Sequence, residues 1–398
     1  MPVAFFYVFK VIFIDYVAVY SKDSWLKSKE WTMLDIIPPK EIEKGPKLME
    51  SFFAGIAGVL TTYNTFDMFK GGAFWHDRFG IEMVSDEGKV HFYFRTQKKY
   101  VSLVEAQIYA QYPDAEILQV EDYYFKYPKV IPNRKWDMWG ADYEFIAPNA
   151  YPIKTYDKFE ESVTGEMVDP MAPIVEIFGS LGPGQHMFLQ YILQPLHETW
   201  KKEKPQQDII EKLTGRGPGV LTGPLSHLAD VFSNLAKGMF GPVEFKAAEK
   251  KEQAPLEFRL TSVEKDTLKA VEEKLGRNCF KTKIRFIYLA HRENMDKTKV
   301  SAFNGSLKQF SDINMNQIKP EDITKTYGKI FLTERISSFR KRKLWGRYKT
   351  RNMDGPTIVL STKELATLFH FPDMGVKSPS VPRTSSKLGA APSNLPVQ

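Results

Sequence analysis

Between residues 30 and 125 the apolar pattern changes period in a set order. That order limits the possible folds more than any short motif in the chain. Trp31–Ile37 (WTMLDII) is a short apolar strand stopped by Pro38-Pro39. Leu48, Phe52, Ile56 and Val59 then recur at helical spacing behind Pro46, which suits the first turn of a helix. FGIEMVS and KVHFYFRT flank the tight turn DEGK as a strand pair. In the second strand Val90, Phe92 and Phe94 face one way, and His91, Tyr93 and Arg95 the other. A helix over KKYVSLVEAQIYAQYP, with Val101, Val104 and Ile108 on one face, and a strand AEILQVEDY complete the unit. The order β-α-β-β-α-β at this length predicts a ferredoxin-like sandwich, an antiparallel sheet with both helices on one face.

A second copy of the order spans about 140–312. ADYEFIAP reads as a strand, and DPMAPIVEIFGSLG as a helix with Asp169 as N-cap and Pro170 behind it. HMFLQYILQPL and LEFRLT read as strands, SVEKDTLKAVEEKLG as a helix capped by Ser262, and FKTKIRFIYLAH as a long strand. An insertion at about 197–254 carries Leu225, Leu228, Phe232, Leu235 and Met239 as an apolar helical stripe, read as packing surface. Residues 313–372 hold a basic helix and then a strand leading into a helix. There STKE offers a capping box, with Ser361 as the cap and Glu364 reaching back. The predicted fold is therefore α+β, two ferredoxin-like modules (30–125 and 140–312). A disordered Pro/Ser-rich linker is expected at 373–398.

At 398 residues, with 43% hydrophobic and 14% aromatic side chains, the chain has ample material for such cores. From Pro2 to Tyr20 it is apolar or aromatic except for Lys10 and Asp15, long enough to read as a transmembrane anchor at 1–21. Lys22, Lys27 and Lys29 follow it, which by the positive-inside rule places the bulk of the chain in the cytoplasm. The overall formal charge of +7 is uneven. From Lys329 to Arg351 nine Lys/Arg stand against the single acid Glu334, a local excess of eight. Arg340, Lys341, Arg342, Lys343, Arg347, Lys349 and Arg351 are the candidate contacts to phosphates or lipid headgroups, with Trp345 beside them for stacking. His91, Tyr93 and Arg95 are the corresponding stacking or interface candidates on the sheet.

Most catalytic chemistry lacks its residues. There is no GxxxxGK[ST] phosphate loop, no HExxH and no GxSxG elbow. The one cysteine, Cys279, excludes an intramolecular disulfide, and the seven histidines are scattered singly. No metal site and no cofactor is expected, and the chain reads as not an enzyme by itself.

Three blocks carry more: WTMLDIIPPKEIEKGPKLMESFFAGIAG, VHFYFRTQKKYVSLVEAQIYAQYPDAEILQVEDY and LSTKELATLFHFPDMGVKSPSV. They resemble an uncharacterised bacterial family, similar to the membrane-anchored N-terminal region that precedes a HerA/FtsK-type motor in type IV secretion-like and conjugation-like ATPases. The resemblance implies an inner-membrane location, a linker leading to a motor domain, and no nucleotide site in this chain. It implies a non-catalytic, membrane-tethered module that anchors and assembles a DNA-translocating machine. The implied partners are the membrane, a HerA/FtsK-type ATPase, further copies of the chain, and DNA. The alternative is a soluble nucleic-acid-binding protein that works through the basic 329–351 segment.

Overall fold

The period-two segments assemble edge to edge. The computed structural model describes residues 2–16, 29–42, 45–59, 77–159, 168–214, 260–327, 333–373 and 381–384. Among the described residues nine strands form: β1 (Trp31–Ile37), β2 (Phe79–Asp86), β3 (Lys89–Gln97), β4 (Glu116–Val120), β5 (Trp136–Phe145), β6 (Gln185–Pro195), β7 (Cys279–His291), β8 (Ile318–Pro320) and β9 (Ile358–Ser361). They lie in the order β4-β1-β3-β2-β6-β7-β5-β8, with β9 on β7, and every strand pair is antiparallel. The described helices are α1 (Pro2–Tyr16), α2 (Gly45–Ala57), α3 (Val101–Gln111), α4 (Ala172–Gly179), α5 (Lys204–Leu213), α6 (Ser262–Gly276), α7 (Lys297–Leu307), α8 (Thr333–Lys349) and α9 (Thr362–Leu368).

The expected pair of ferredoxin-like modules is corrected to one continuous sheet. β2 and β6 pair from Phe79↔Leu193 to Asp86↔His186, so neither half keeps a free edge there. An unpaired edge exposes a row of backbone donors and acceptors, and joining the halves removes two of them. The second half also uses other segments than expected. Its third strand is β7, followed by α7 and the short β8, whereas 256–259 of the expected strand LEFRLT lie outside the described residues.

Alternation sorts the sheet residues onto two faces. Ile81, Met83, Phe92, Phe94, Leu189, Tyr191, Phe286 and Tyr288 point to one face, where they meet Phe52 and Phe53 of α2, Ile108 of α3, Phe178 of α4, Phe303 of α7 and Leu365 of α9. Val84, Tyr93, Phe188, Ile287 and Leu289 point to the other, where α8 sets down Leu344, Trp345 and Tyr348. The expected alternation of KVHFYFRT is therefore present, and its second face is covered by the basic helix. The capping box also forms: Ser361 Oγ accepts from Glu364 N, and Glu364 Oε2 accepts from Ser361 N at 2.8 Å.

Residues 198–273 form a second compact unit, which holds α5 and most of α6. The cap of α6 is Thr261 and not the expected Ser262: its Oγ1 accepts from Glu264 N, and Glu264 Oε2 accepts from Thr261 N at 2.9 Å. The expected apolar stripe at Leu225–Met239 lies outside the described residues.

The expected transmembrane anchor is corrected as well. Among the described residues no helix is long and apolar enough to cross a membrane. The described residues of α1 number 15, which at about 1.5 Å per residue fall short of a ~30 Å hydrocarbon core; positions 17–21 of the expected anchor lie outside the described residues. The expected linker is partly docked. Val381 is buried, Arg383 donates to the carbonyls of Lys40 and Asp373, and Thr384 N donates to Pro38 O at 3.1 Å. Residues 374–380 and 385–398 lie outside the described residues.

Candidate nucleic-acid interface

A polar row crosses the sheet beneath α8. Strand register places Asp35, Tyr93, Glu82, Gln190, Arg285 and Asp142 directly opposite one another on six neighbouring strands, from β1 to β5. The side chains connect. Gln190 Nε2 donates to Glu82 Oε1 at 2.9 Å, and its Oε1 accepts from Arg285 Nη1 at 3.0 Å. Arg285 Nε donates to Asp142 Oδ1 at 2.7 Å, and Lys283 Nζ donates to Asp142 Oδ2 at 3.2 Å. Tyr123 OH donates to Glu82 and meets Tyr348 OH. Buried polar groups are stable only when such partners are supplied.

The C-terminal end of α8 closes this row. Its carbonyls at Arg347 and Tyr348 accept from Arg285 and Gln190, and Asn352 O accepts from Arg285 Nη2 at 3.2 Å. A guanidinium suits the negative end of a helix. Arg351, two residues past the helix, turns inward. It donates to Glu82 at 3.0 and 3.2 Å and to Asp122 at 2.6 and 2.8 Å. Burial pushes the Glu82 carboxyl up, but the Arg351 charge and hydrogen bonds outweigh it and hold the group below its ordinary value. Burial lowers Lys283 to about 8 against the opposing pull of Asp142. Arg95 is lowered to about 10, by burial first and then by the Arg351 charge.

The predicted contact residues divide accordingly. Arg351 is 4% exposed and Trp345 1%, so neither is a surface contact. Trp345 packs in the core and donates from Nε1 to Pro128 O at 3.0 Å. Tyr93 is a core residue stacked on Tyr123 at 4.7 Å, and His91 stacks on Tyr93 while facing Asp35 at 3.0 Å. Arg340 holds the carbonyls of Lys325 and Tyr327, each at 3.0 Å. Lys341 donates to Asp137 at 2.6 Å. Arg342 and Lys343 are exposed, and Lys349 reaches Lys129 O at 2.8 Å. Arg95, Lys349 and Arg351 do come together in a cleft of about 500 Å³, where Arg95 lies 4.1 Å over the Trp31 ring.

What remains outside is still basic. Arg335, Phe339, Arg342 and Lys343 are exposed along α8 at helical spacing. The segment beside them adds exposed Lys126, Lys129, Arg134 and Lys135, which spacing within α8 did not reveal. Two contacts hold the segment and helix together, Trp345 to Pro128 and Lys349 to Lys129. The signal for this second strip was in the sequence, as four cations between Asp122 and Asp137 without an intervening acid. Among the described residues no group of three or more His, Cys, Asp or Glu side chains is placed to hold a metal ion.

This arrangement defines a one-sheet α+β domain with a helix-covered polar row and a basic outer layer. The chain belongs to the family of domains of unknown function DUF8128, whose pattern matches residues 19–384. No curated protein matches the sequence.

Proposed function

We propose that this chain is a non-catalytic nucleic-acid-contacting module that reads phosphates with the outer layer formed by α8 and residues 126–135. The observation that carries the reading is the joined strip of exposed cations, Arg335, Arg342, Lys343, Lys126, Lys129, Arg134 and Lys135, with Phe339 among them. Phosphate neutralisation needs this kind of density, and it is sequence-independent. A place beside a HerA/FtsK-type motor in a type IV secretion-like system, as the sequence resemblance implies, would make DNA the polymer and assembly the task.

The test is fluorescence anisotropy with a short labelled duplex over a salt series. For the unaltered chain, log affinity should fall linearly with log salt, by about 0.9 per phosphate neutralised. R335E/R342E/K129E/K135E should weaken binding and flatten that slope, because all four side chains are exposed and the core is untouched. Equal binding by the two proteins at low salt would remove this reading.

A further inference from the structure

A second, smaller cleft of about 240 Å³ opens between α8 and the loop after β8, lined by Glu321, Ile323, Arg340, Lys343, Leu344 and Arg347, with Gly355 at its edge. Its polar groups are mismatched among themselves. Glu321 Oε2 is buried and, among the described residues, accepts no hydrogen bond. The Arg347 guanidinium lies near the Gly355 backbone, where a Cβ would stand 3.5 Å from Nη1, and among the described residues its side chain meets no hydrogen-bond acceptor. Lys343 is exposed, with Nζ 6.0 Å from the Phe339 ring and no hydrogen-bond acceptor among the described residues. Arg340 is occupied with the loop carbonyls and serves as the wall that fixes the loop to the helix. Gly355 has φ +93°, which favours glycine, and a Cβ there would also meet Lys283 Nζ at 3.3 Å and Asp142 Oδ2 at 3.6 Å, so the bare backbone lets these groups and Arg347 approach one another.

A buried carboxylate oxygen without a donor costs stability, and a ligand that brings N–H groups removes that cost. Two cations without acceptors call for a phosphate. Ile323 is 74% exposed, and with Leu344 it offers an aliphatic wall for a flat ring. Guanine satisfies all three conditions together. Its N1–H and N2–H₂ are adjacent donors on one edge and match the two oxygens of a carboxylate. Adenine and cytosine place an acceptor beside their amino group, and thymine has one N–H between two carbonyls.

We infer that this cleft is a guanine-nucleotide subsite, with Glu321 on the base edge, Ile323 and Leu344 against the ring, and Lys343 and Arg347 on the 5′-phosphate. The inference rests on the nucleic-acid reading above only for the source of the base, an unpaired guanosine in a strand; a free guanosine monophosphate presents the same chemistry.

Two arms separate these cases in calorimetric titrations of the full chain. In the first, 5′-GMP should bind roughly tenfold tighter than 5′-CMP or 5′-AMP, the discrimination expected of one bidentate base contact. In the second, an oligothymidine carrying one central guanosine should bind roughly tenfold tighter than oligothymidine alone. E321Q should abolish both preferences while leaving oligothymidine binding as it was. K343E, on the exposed helix face, should weaken GMP binding without affecting the melting temperature, and it serves as the second variant if E321Q does not fold. Equal affinity for the three mononucleotides, together with equal affinity for the two oligonucleotides, overturns the inference and leaves the basic-layer reading standing. A GMP preference with no binding of either oligonucleotide supports the subsite and overturns the nucleic-acid reading.

Discussion

Arg351 lies in the most basic stretch of the chain, yet its guanidinium sits inside the protein between Glu82 and Asp122. Nothing in FRKRKLWGRYKTR distinguishes it from Arg342 or Lys343, which stay exposed, because the acids that receive it stand on β2 and after β4. Local spacing shows which residues share a helix face, but not which distant carboxylate waits there. Arg351→Ala leaves the buried Glu82 with its Gln190 and Tyr123 hydrogen bonds but without its cation, which should cost on the order of 3–5 kcal/mol in urea unfolding. A loss below about 1 kcal/mol would mean that the pair contributes as little as a surface one. The same pair sets an acid dependence. Glu82 is held below its ordinary 4.5 in the folded state, so its stabilisation is fully present above pH 4.5 and is lost as pH falls through the lowered folded value. Unfolding free energies measured downward from pH 5 should show this loss in the unaltered chain and a flatter limb in Arg351→Ala. Lys283 acts at the other end of the scale. Its folded value of about 8 lies below the ordinary 10.5, so the folded state binds fewer protons between them and stability should rise with pH across that window. Lys283→Met should flatten the rise.

At the scale of elements, the sequence was legible wherever one segment carries its own partners. The STKE box shows this: Ser361 and Glu364 meet each other three residues apart, as the motif requires. What the motif does not show is that Glu364 is fully buried and also receives Lys274 Nζ at 3.1 Å and Ile153 N at 3.0 Å. Those partners lie 90 and 211 positions away, beyond any local pattern. The two residues of the box should therefore behave differently. Ser361→Ala removes the cap bond from Glu364 N and the hydroxyl's own bond to Glu364 Oε2, and should cost about 1 kcal/mol. Glu364→Ala leaves the buried Lys274 ammonium with the Tyr151 carbonyl but no anion and strands the Ile153 backbone donor besides, and should cost about 3 kcal/mol or more. Equal losses in thermal or urea melts would show that Lys274 gains nothing from Glu364. α8 follows the same division. Its basic character was legible, while the inward half of its cations became visible only with the sheet beneath it. Lys283 and Arg285 two positions apart in β7, with Glu82 within the apolar run of β2, were the available hints that strands, too, would carry charge inward.

For the whole molecule, the order of strands and helices in the first half could be read because each segment is periodic and the connections from β2 to β4 are short. Whether two such halves stay apart or merge depends on edges, and an edge has no residue pattern of its own. β2 is buried at seven of its eight positions and β6 at nine of eleven, so both faces of each strand are covered, as befits strands in the middle of a sheet. Phe79–Asp86 reads much the same in sequence whether its outer backbone groups meet water or β6. The polar row gives the junction a second tie, since Glu82 and Gln190 are opposite one another across it and hydrogen-bonded. One sheet held this way should open as one unit. In native-state hydrogen exchange the amides of β2 and β6 should belong to the slowest class with those of β3 and β7, while the edge strand β4, paired only with β1, exchanges faster. Exchange of β2 and β6 at the rate of β4 would mean that the halves separate before they unfold. In that event the row beneath α8 would be a seam able to open, rather than the fixed floor on which the basic layer stands.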